Sequence, residues 1–204
     1  MSGRTDDIIL RHIRYFRKKV NTRTQENAFP LNYVDLEDSG ITIPPVEYFC
    51  YNEHPDFQLD EANVETVLSA IQTYMPLDHY DVISVAFLNE STLVDLHMQF
   101  LNDPTPTDVM TFPANEGDDE RVGEICISVD QAQKYATEHR QDLAWELTLY
   151  LVHGWLHLCG YNDLKIGDRR AMRAAEQAVL SFLKEHYLKL EIKYGKWSMP
   201  ACLL

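Results

Sequence analysis

Apolar positions along the chain follow two periods, one typical of strands and one typical of helices. Short runs rich in β-branched and aromatic residues predict four strands, at residues 46–51, 82–88, 109–112 and 121–128. Apolar residues at helical spacing predict five helices, at residues 60–74, 91–100, 130–139, 142–159 and 168–190. Elements of these two kinds pack in layers around one core, so we expect an α+β domain with a small sheet of about four strands and about five helices.

The predicted domain occupies residues 45–192, with an extension on each side. The spacing predicts a basic amphipathic helix over residues 8–20, and residues 21–44 form a linker rich in Asn, Thr and Asp that ends in two consecutive prolines. Residues 1–44 are therefore predicted to be an N-terminal basic extension and linker. Residues 193–204 are predicted to be a C-terminal tail.

The composition limits what this domain can bind and where it works. The chain has 204 residues and a formal charge of −14, which argues against broad affinity for nucleic acid, and we expect no DNA partner. Residues 1–23 nevertheless hold seven basic and two acidic residues, which fits either an arm that contacts RNA phosphate or a solvated tail. No run is long and apolar enough for a membrane span or a secretory signal, and four scattered cysteines suit reduced thiols. We expect a cytoplasmic protein without membrane partners.

The helix predicted over residues 142–159 carries two histidines at metal-ligand spacing. His153 and His157 are four residues apart, so a helix places both imidazoles on one face, one turn apart. Gly160 can adopt the positive φ that ends a helix, and the turn allows Asp163 to return to the same ion as a third ligand. Two imidazoles, one carboxylate and an open fourth position are the ligand set of a catalytic zinc ion.

Two simpler interpretations of these residues stay open. The pair could be two surface histidines, although the apolar residues around them should bury most of the helix, and buried imidazoles need partners. Asp163 could only cap the helix that follows it, which would leave the site degenerate.

The string around the histidines resembles the signature of a known protein family. It is similar to H-G-x-L-H-L-x-G-Y-D-H of the YbeY family, the metal-dependent endoribonucleases of bacterial ribosome maturation. The matching residues are His153, Gly154, Leu156, His157, Leu158, Gly160 and Tyr161. A second string resembles the family's P-T-D/N-V-L-S-F-P block, and its matching residues are Pro106, Thr107, Asp108, Val109, Phe112 and Pro113. The two strings also occur in the order found in the family.

This resemblance implies a fold, an activity and partners. The implied fold is zincin-like with a mixed sheet, and the implied activity is that of a metal-dependent, single-strand-specific endoribonuclease. In the family this activity serves 16S rRNA 3' end maturation and ribosome quality control, with ribosomal RNA and the small ribosomal subunit as partners. The implied cofactor is one zinc ion per chain, held by His153, His157 and Asp163. Water on that ion is the expected nucleophile.

The chain departs from the family pattern in two places. Asn162 and Asp163 stand where the family has Asp and its third His. Since Asp is a legitimate zinc ligand, we interpret Asp163 as a substituted ligand that makes the site more tolerant of Mn²⁺ or Mg²⁺. Leu101 stands where the family usually has an Arg that is thought to assist with substrate phosphate or catalysis. The candidates to take over that role are Arg121, Arg169 and Arg170, with none favoured by spacing.

Three further residues are predicted to line the substrate cleft. Thr107 and Asp108 precede the third predicted strand, and Glu124 lies in a Gly-Glu-Ile string that resembles the family's G-D/E-I. Asp108 and Glu124 are the candidates for a general base, which the sequence leaves unassigned. Each also has a structural interpretation, because Asp108 could bond only the local backbone and Glu124 could point outward from its strand.

Two other functions compete with the endoribonuclease. A zinc protease of the H-E-x-x-H type needs a Glu directly after the first His as its base, whereas this chain has Gly154. A non-catalytic ribosome assembly factor would account for Leu101, Asp163 and the acidic composition. The sequence predicts neither the oligomeric state nor the cleavage site.

Overall fold

The structure is a computed structural model that describes residues 46–77, 79–114 and 121–195. Its elements are, in order, β1 (Glu47–Asn52), β2 (Phe57–Leu59), α1 (Glu61–Tyr74), β3 (Val82–Leu88), α2 (Glu90–Leu101), β4 (Val109–Phe112), β5 (Val122–Ser128), α3 (Val129–His139), α4 (Leu143–Leu158), α5 (Ile166–Glu185) and β6 (Ile192–Gly195). The basic helix and linker predicted within residues 8–44 lie outside the described residues.

A four-stranded mixed sheet forms the centre of the domain. Its strand order is β1-β3-β5-β4, with β1, β3 and β5 parallel and β4 antiparallel to β5. In this register Ile125 of β5 lies between Val85 of β3 and Thr111 of β4. The sheet and the five helices of the described residues confirm the predicted α+β class.

Helices cover both faces of this sheet, so its strands carry apolar residues on both sides. Ile125 and Ile127 of β5 point into the main core, to which α1, α3, α4 and α5 also contribute. Cys126 points the opposite way, into a smaller core shared with Leu93 and Leu96 of α2. As a result β5 is buried along almost its whole length, and the histidine helix α4 packs on one defined face of it.

Side-chain caps set where four of the helices begin. The capping oxygens accept a backbone N–H of the first helical turn at 2.7 to 3.2 Å, and they belong to Asp60, Asn89, Ser128 and Asp142. Asp60 is the cap that the sequence predicts. Helix α2 starts one residue earlier than predicted, because Asn89 caps it and Ser91 lies inside its first turn.

The last helix is shorter than predicted. Helix α5 ends at Glu185, so the prediction that it continues to residue 190 is wrong. Tyr187 adopts a φ of 55°, and the Leu188 N–H donates to the Leu183 carbonyl at 2.8 Å, as in a Schellman cap. The turn brings Leu190 into the core, where its side chain is fully buried.

The chain then returns to the domain as a strand that the sequence did not predict. β6 pairs antiparallel with β2 in a second, two-stranded sheet, with Gln58 opposite Tyr194. Because β6 spans Ile192–Gly195, it crosses the predicted boundary between domain and tail at residues 192–193. The remainder of the tail lies outside the described residues.

Neither a disulfide nor a membrane-spanning helix occurs among the described residues. Cys50, Cys126 and Cys159 form no disulfide. Each helix in this part of the chain is too short or too polar to cross a membrane.

Candidate metal centre

Helix α4 holds its two histidines at the edge of the main core. Leu151, Val152 and Trp155 are fully buried and fix the rotation of the helix against the sheet. His153 and His157 lie half-buried on the remaining face. Their Nε2 atoms are 3.0 Å apart and their rings are nearly perpendicular, at 88°. The helical spacing therefore brings the two imidazoles together as predicted.

The turn after α4 brings in a carboxylate. Gly160 has a φ of +90°, which an L residue with a side chain rarely adopts, so a glycine is needed there. The chain reverses, and Asp163 Oδ2 lies 3.9 Å from His153 Nε2. The ligand atoms of His153, His157 and Asp163 all lie within 4.8 Å of one another. The structure thus groups the three residues predicted as metal ligands.

The other ring nitrogen of each histidine has a defined partner. His153 Nδ1 lies 2.7 Å from Glu176 Oε1 of α5, and His157 Nδ1 lies 3.0 Å from the carbonyl oxygen of Tyr161. Carboxylate and carbonyl oxygens accept hydrogen bonds, so we infer that each Nδ1 carries the proton. Sequence reasoning missed Glu176, although a carboxylate between Met172 and Val179 on the inner side of α5 is an unusual residue for a core-facing position.

These hydrogen bonds leave two Nε2 lone pairs facing each other, which suits a shared cation. Neutral imidazoles in this arrangement repel each other at 3.0 Å unless a positive charge lies near both nitrogens. A nearby carboxylate completes a ligand set of two nitrogens and one oxygen. An acceptor on each Nδ1 is also the usual outer partner of a metal-binding histidine. The residues present therefore fit a divalent metal ion such as zinc.

The two imidazoles have pKa values displaced in opposite directions. Burial alone would lower the pKa of His153, but the hydrogen bond and charge of Glu176, with the charges of Asp108 and Asp163, raise it above its usual value. Burial and the adjacent His153 lower the pKa of His157. The lowered pKa of His157 favours its neutral form, which presents the lone pair that a metal ligand requires.

A cleft of about 200 Å³ opens beside these ligands. Two ligand residues, His153 and Asp163, form part of its wall. The other lining residues are Asp108, Leu149, Tyr150, Arg169, Met172, Arg173 and Glu176. A substrate can thus reach the ligand side chains, as a catalytic metal site requires.

The residues predicted to line the cleft do not all reach it. Asp108 lines it, and its Oδ1 accepts the N–H of Val109 at 2.9 Å and the hydroxyl of Thr107 at 3.3 Å. Thr107 therefore contacts the site through Asp108. Glu124 alternates with Ile125 along β5 and lies on the sheet face that carries Cys126, opposite to α4. It is buried there, and its position excludes it as a base or substrate contact in this cleft.

A tyrosine and a buried carboxyl group were not singled out in the sequence. Tyr150 lines the cleft, and Glu146, one turn earlier on α4, accepts a hydrogen bond from it. Burial raises the pKa of both groups, so Tyr150 keeps its proton at neutral pH. Their spacing of four residues, continued to His153 one turn later, places all three on one face of α4.

The position of Gly154, directly after His153, has no room for the glutamate that a zinc protease uses as its base. A Cβ atom at Gly154 would lie 2.5 Å from Ile125 Cγ2 and 3.1 Å from Val109 Cγ1. The position after the first histidine thus faces the sheet at very close range, with no room for a glutamate. This geometry argues against the H-E-x-x-H type of zinc protease.

Leu101 and Arg121 bring no positive charge to the cleft. Leu101 is 63% exposed at the end of α2, which packs on the sheet face opposite to α4. Arg121 donates to both carboxylate oxygens of Asp81, at 3.0 and 2.7 Å, and joins the ends of β3 and β5. Of the arginines considered in the sequence, Arg169 lines the cleft and Arg170 does not.

Comparison with solved structures supports the same fold. The solution structure of a Thermotoga maritima protein superposes with a TM-score of 0.50 and covers 69% of this chain and 91% of its own. Its sequence identity is 22%, so the similarity concerns the fold alone.

Sequence comparison identifies the family. The family model described as Endoribonuclease YbeY matches residues 50–184. A protein named endoribonuclease YbeY from Protochlamydia amoebophila is 35% identical over 145 residues, which cover 70% of this chain and 95% of the relative. A protein of the same name from Chlamydia trachomatis serovar D is 30% identical over 145 residues, which cover 69% and 89%. This chain belongs to the YbeY family.

Proposed function

We propose that this chain is a metal-dependent endoribonuclease that cleaves single-stranded RNA. The metal ligands in this proposal are His153, His157 and Asp163, and zinc is the expected ion, with Mn²⁺ or Mg²⁺ as alternatives because one ligand is a carboxylate. The name of the family and of its relatives supplies the substrate class.

One observation carries the proposal. The Nε2 atoms of the two histidines face each other at 3.0 Å, both Nδ1 atoms have acceptors, and a carboxylate lies within reach at the wall of an open cleft. Two histidines with only a structural role would need neither Nε2 atoms that face each other nor an open cleft beside them. When bound, a divalent metal supplies Lewis-acid activation of water and of a phosphoryl oxygen, which suits phosphodiester hydrolysis.

The chain's own residues divide the remaining work. Glu176 and the Tyr161 carbonyl hold the two imidazoles in the tautomer that exposes Nε2. Of the cleft carboxylates, Asp163 is a proposed ligand and Glu176 is bonded to His153, which leaves Asp108 to accept a proton from the attacking water. We therefore place Asp108 as the general base and withdraw Glu124 from that role.

The test is cleavage of a single-stranded RNA by purified, zinc-loaded protein. His153→Ala should abolish both cleavage and metal binding, and a chelator should abolish cleavage by the wild type. His186→Ala removes an exposed histidine at the end of α5 and should leave both unchanged. Equal cleavage by wild type and His153→Ala would refute the proposal. Asp108→Asn should lose cleavage with metal content intact.

We further propose that the RNA is ribosomal. In this proposal the activity lies in the cytoplasm, acts on the 3' end of 16S rRNA within the small ribosomal subunit, and serves ribosome quality control; the family resemblance supports it. Cells without the protein should accumulate 16S rRNA with an extended 3' end, and wild type but not His153→Ala should restore the mature end. A normal 3' end in the deletion strain would contradict this assignment.

A non-catalytic assembly factor is the second candidate. It is favoured by the exposed apolar Leu101 at the position of the family's usual Arg. Ribosome binding by the metal-loaded protein, with no cleavage of any RNA and no effect of His153→Ala on binding, would establish this candidate instead.

A further inference from the structure

Two arginines of α5 project into the cleft that holds the proposed ligands. Arg169 and Arg173 are four residues apart, so they lie one above the other on one face of the helix. Both side chains are exposed to solvent at the cleft wall. Glu176, which bonds His153, continues the same face. The arginines are therefore fixed, through α5, relative to the histidine pair.

The formal charges of the cleft show what these arginines change. Asp108, Asp163 and Glu176 contribute three negative charges to its wall. A divalent cation alone would leave the site with a net negative charge, which repels a polyanion. With Arg169 and Arg173 the same site becomes positive when the cation is bound. In a chain with a formal charge of −14, such a local reversal is what phosphate binding requires.

The two guanidinium groups are available for a ligand. No ion pair or side-chain hydrogen bond between described residues involves Arg169 or Arg173, whereas Arg121 is engaged by Asp81. A guanidinium presents a planar set of N–H donors that matches two phosphate oxygens, and this geometry separates arginine from lysine. Arg170, which follows Arg169 on the helix, does not line the cleft, so its substitution is a control for the two cleft arginines.

We infer that Arg169 and Arg173 form a phosphate clamp, which grips the RNA backbone and sets the scissile phosphate beside the proposed ligands. Arg169 was among the candidates for the role that Leu101 leaves open. This inference rests on the proposed endoribonuclease function and names the residues that hold its substrate. Arg169 and Arg173 act as substrate-binding residues in it, with no role in proton transfer.

The test compares arginine-to-glutamine variants that differ only in position on α5. Arg169→Gln, Arg173→Gln and the double variant remove cleft charges, and Arg170→Gln removes the same charge outside the cleft. Binding of a short single-stranded RNA is measured by fluorescence anisotropy in the Asp108→Asn background, which should keep the metal and not cleave, across a series of salt concentrations. Steady-state cleavage is measured in the otherwise wild-type protein.

Each cleft variant should weaken RNA binding roughly 10- to 100-fold, as expected for loss of a hydrogen bond to a charged group. The slope of log affinity against log salt should become shallower by about 0.7 for each lost phosphate contact. Arg170→Gln should bind and cleave like its parent. A further variant, Arg169→Lys combined with Arg173→Lys, should keep most of the salt slope and yet bind more weakly than the parent, because lysine keeps the charge without the planar donor set. Metal content and the unfolding midpoint should not change in any of these variants.

The outcomes separate the clamp from the catalytic proposal. Normal binding and cleavage by the double glutamine variant would overturn the clamp alone. Loss of binding in that variant, with a wild type that binds RNA but does not cleave it, would support the clamp and overturn the catalytic proposal. A wild type that neither binds nor cleaves RNA would overturn both.

Discussion

Replacing Gly154 by alanine tests whether the position of His153 depends on close contact between α4 and the sheet. The added Cβ would lie 2.5 Å from Ile125 Cγ2, 3.1 Å from Val109 Cγ1 and 3.4 Å from Thr111 Cγ2. Carbon atoms in favourable contact are about 3.5–4.0 Å apart, so the helix or Ile125 would have to move by about 1 Å. Ile125 is fully buried and paired on both sides, by β3 and β4, so the helix is the element that must yield.

The expected loss of stability follows from two opposing effects. Overpacking of a core costs about 1–3 kcal/mol, whereas alanine is favoured over glycine inside a helix by about 1 kcal/mol. The two effects together leave a loss of about 0–2 kcal/mol, and we expect Gly154→Ala to lie in the upper half of that range, because its nearest contact is with an anchored strand. Displacement of α4 should also move His153 relative to Asp163 and weaken metal binding.

Gly167→Ala is the matched control. Gly167 lies in the first turn of α5, and a Cβ there meets nothing within 4 Å. This substitution should be neutral or stabilise the protein by up to about 1 kcal/mol. Urea unfolding followed by circular dichroism measures both variants, and zinc content is determined on the same samples.

A double-mutant cycle with Ile125→Ala identifies the contact responsible. Ile125→Ala removes the methyl group that the new Cβ would meet, so Gly154→Ala should cost about 1–2 kcal/mol less in that background. If Gly154→Ala is as stable as Gly167→Ala, or if the two losses simply add, the reasoning about this helix–sheet contact is refuted.

Two further predictions concern carboxylates. Glu176→Gln should weaken metal binding about 10- to 100-fold, because it removes the charge that orients His153. Glu185→Gln, an exposed change on the same helix, should leave metal binding unchanged. Metal affinity is measured by competition with a chelator, and equal affinities of Glu176→Gln and the wild type would contradict this prediction. Hydrogen bonds from Arg121 hold the pKa of Asp81 at about 2, below its ordinary value of 3.8. The Asp81 carboxylate therefore stabilises the folded state fully above pH 3.8. This stabilisation is lost as the pH falls toward 2. Asp81→Asn should therefore destabilise the protein at pH 6 and match the wild type near pH 2 in urea unfolding; an equal deficit at both pH values would contradict the assignment.

The parts of the site that the sequence could predict are the local ones. The spacing of His153 and His157 fixes their relation within one helix, and Gly160 marks where the chain turns back. The cap at Asp60 is equally local. Each of these depends on residues within about one or two helical turns, where the backbone geometry is known in advance.

The side of the sheet to which Glu124 points could not be predicted from the sequence, because helices cover both sides of the sheet. In a sheet with one wet face, apolar and polar positions alternate and show which way each residue points. Here Ile125 and Cys126 point to opposite faces and both are buried, so the pattern of β5 carries no such signal. The pairing of β2 with β6 was missed for a different reason, since it joins two very short strands that are far apart in sequence.

Glu176 and the two cleft arginines depend on how α5 packs against α4. Met172 and Val179 mark the inner side of α5, and Glu176 lies between them. Arg169 and Arg173 border that side, whereas Arg170 is turned away from the cleft. The sequence thus showed which side of α5 faces the core. What the sequence did not show was the partner of Glu176 on that face, which is His153, 23 residues earlier in the chain.

The two departures from the family pattern affect charge in different places. Asp163 is anionic where the family has a neutral His, but Asn162 is neutral where the family has Asp, so this pair leaves the formal charge unchanged and moves it by one position. Leu101 removes one positive charge, on α2, which packs on the sheet face opposite to α4. Within the cleft the positive charges are those of Arg169 and Arg173 on α5. In our proposal the affinity for RNA phosphate therefore depends on α5, and a substitution that restores Arg at position 101 should not replace the two cleft arginines.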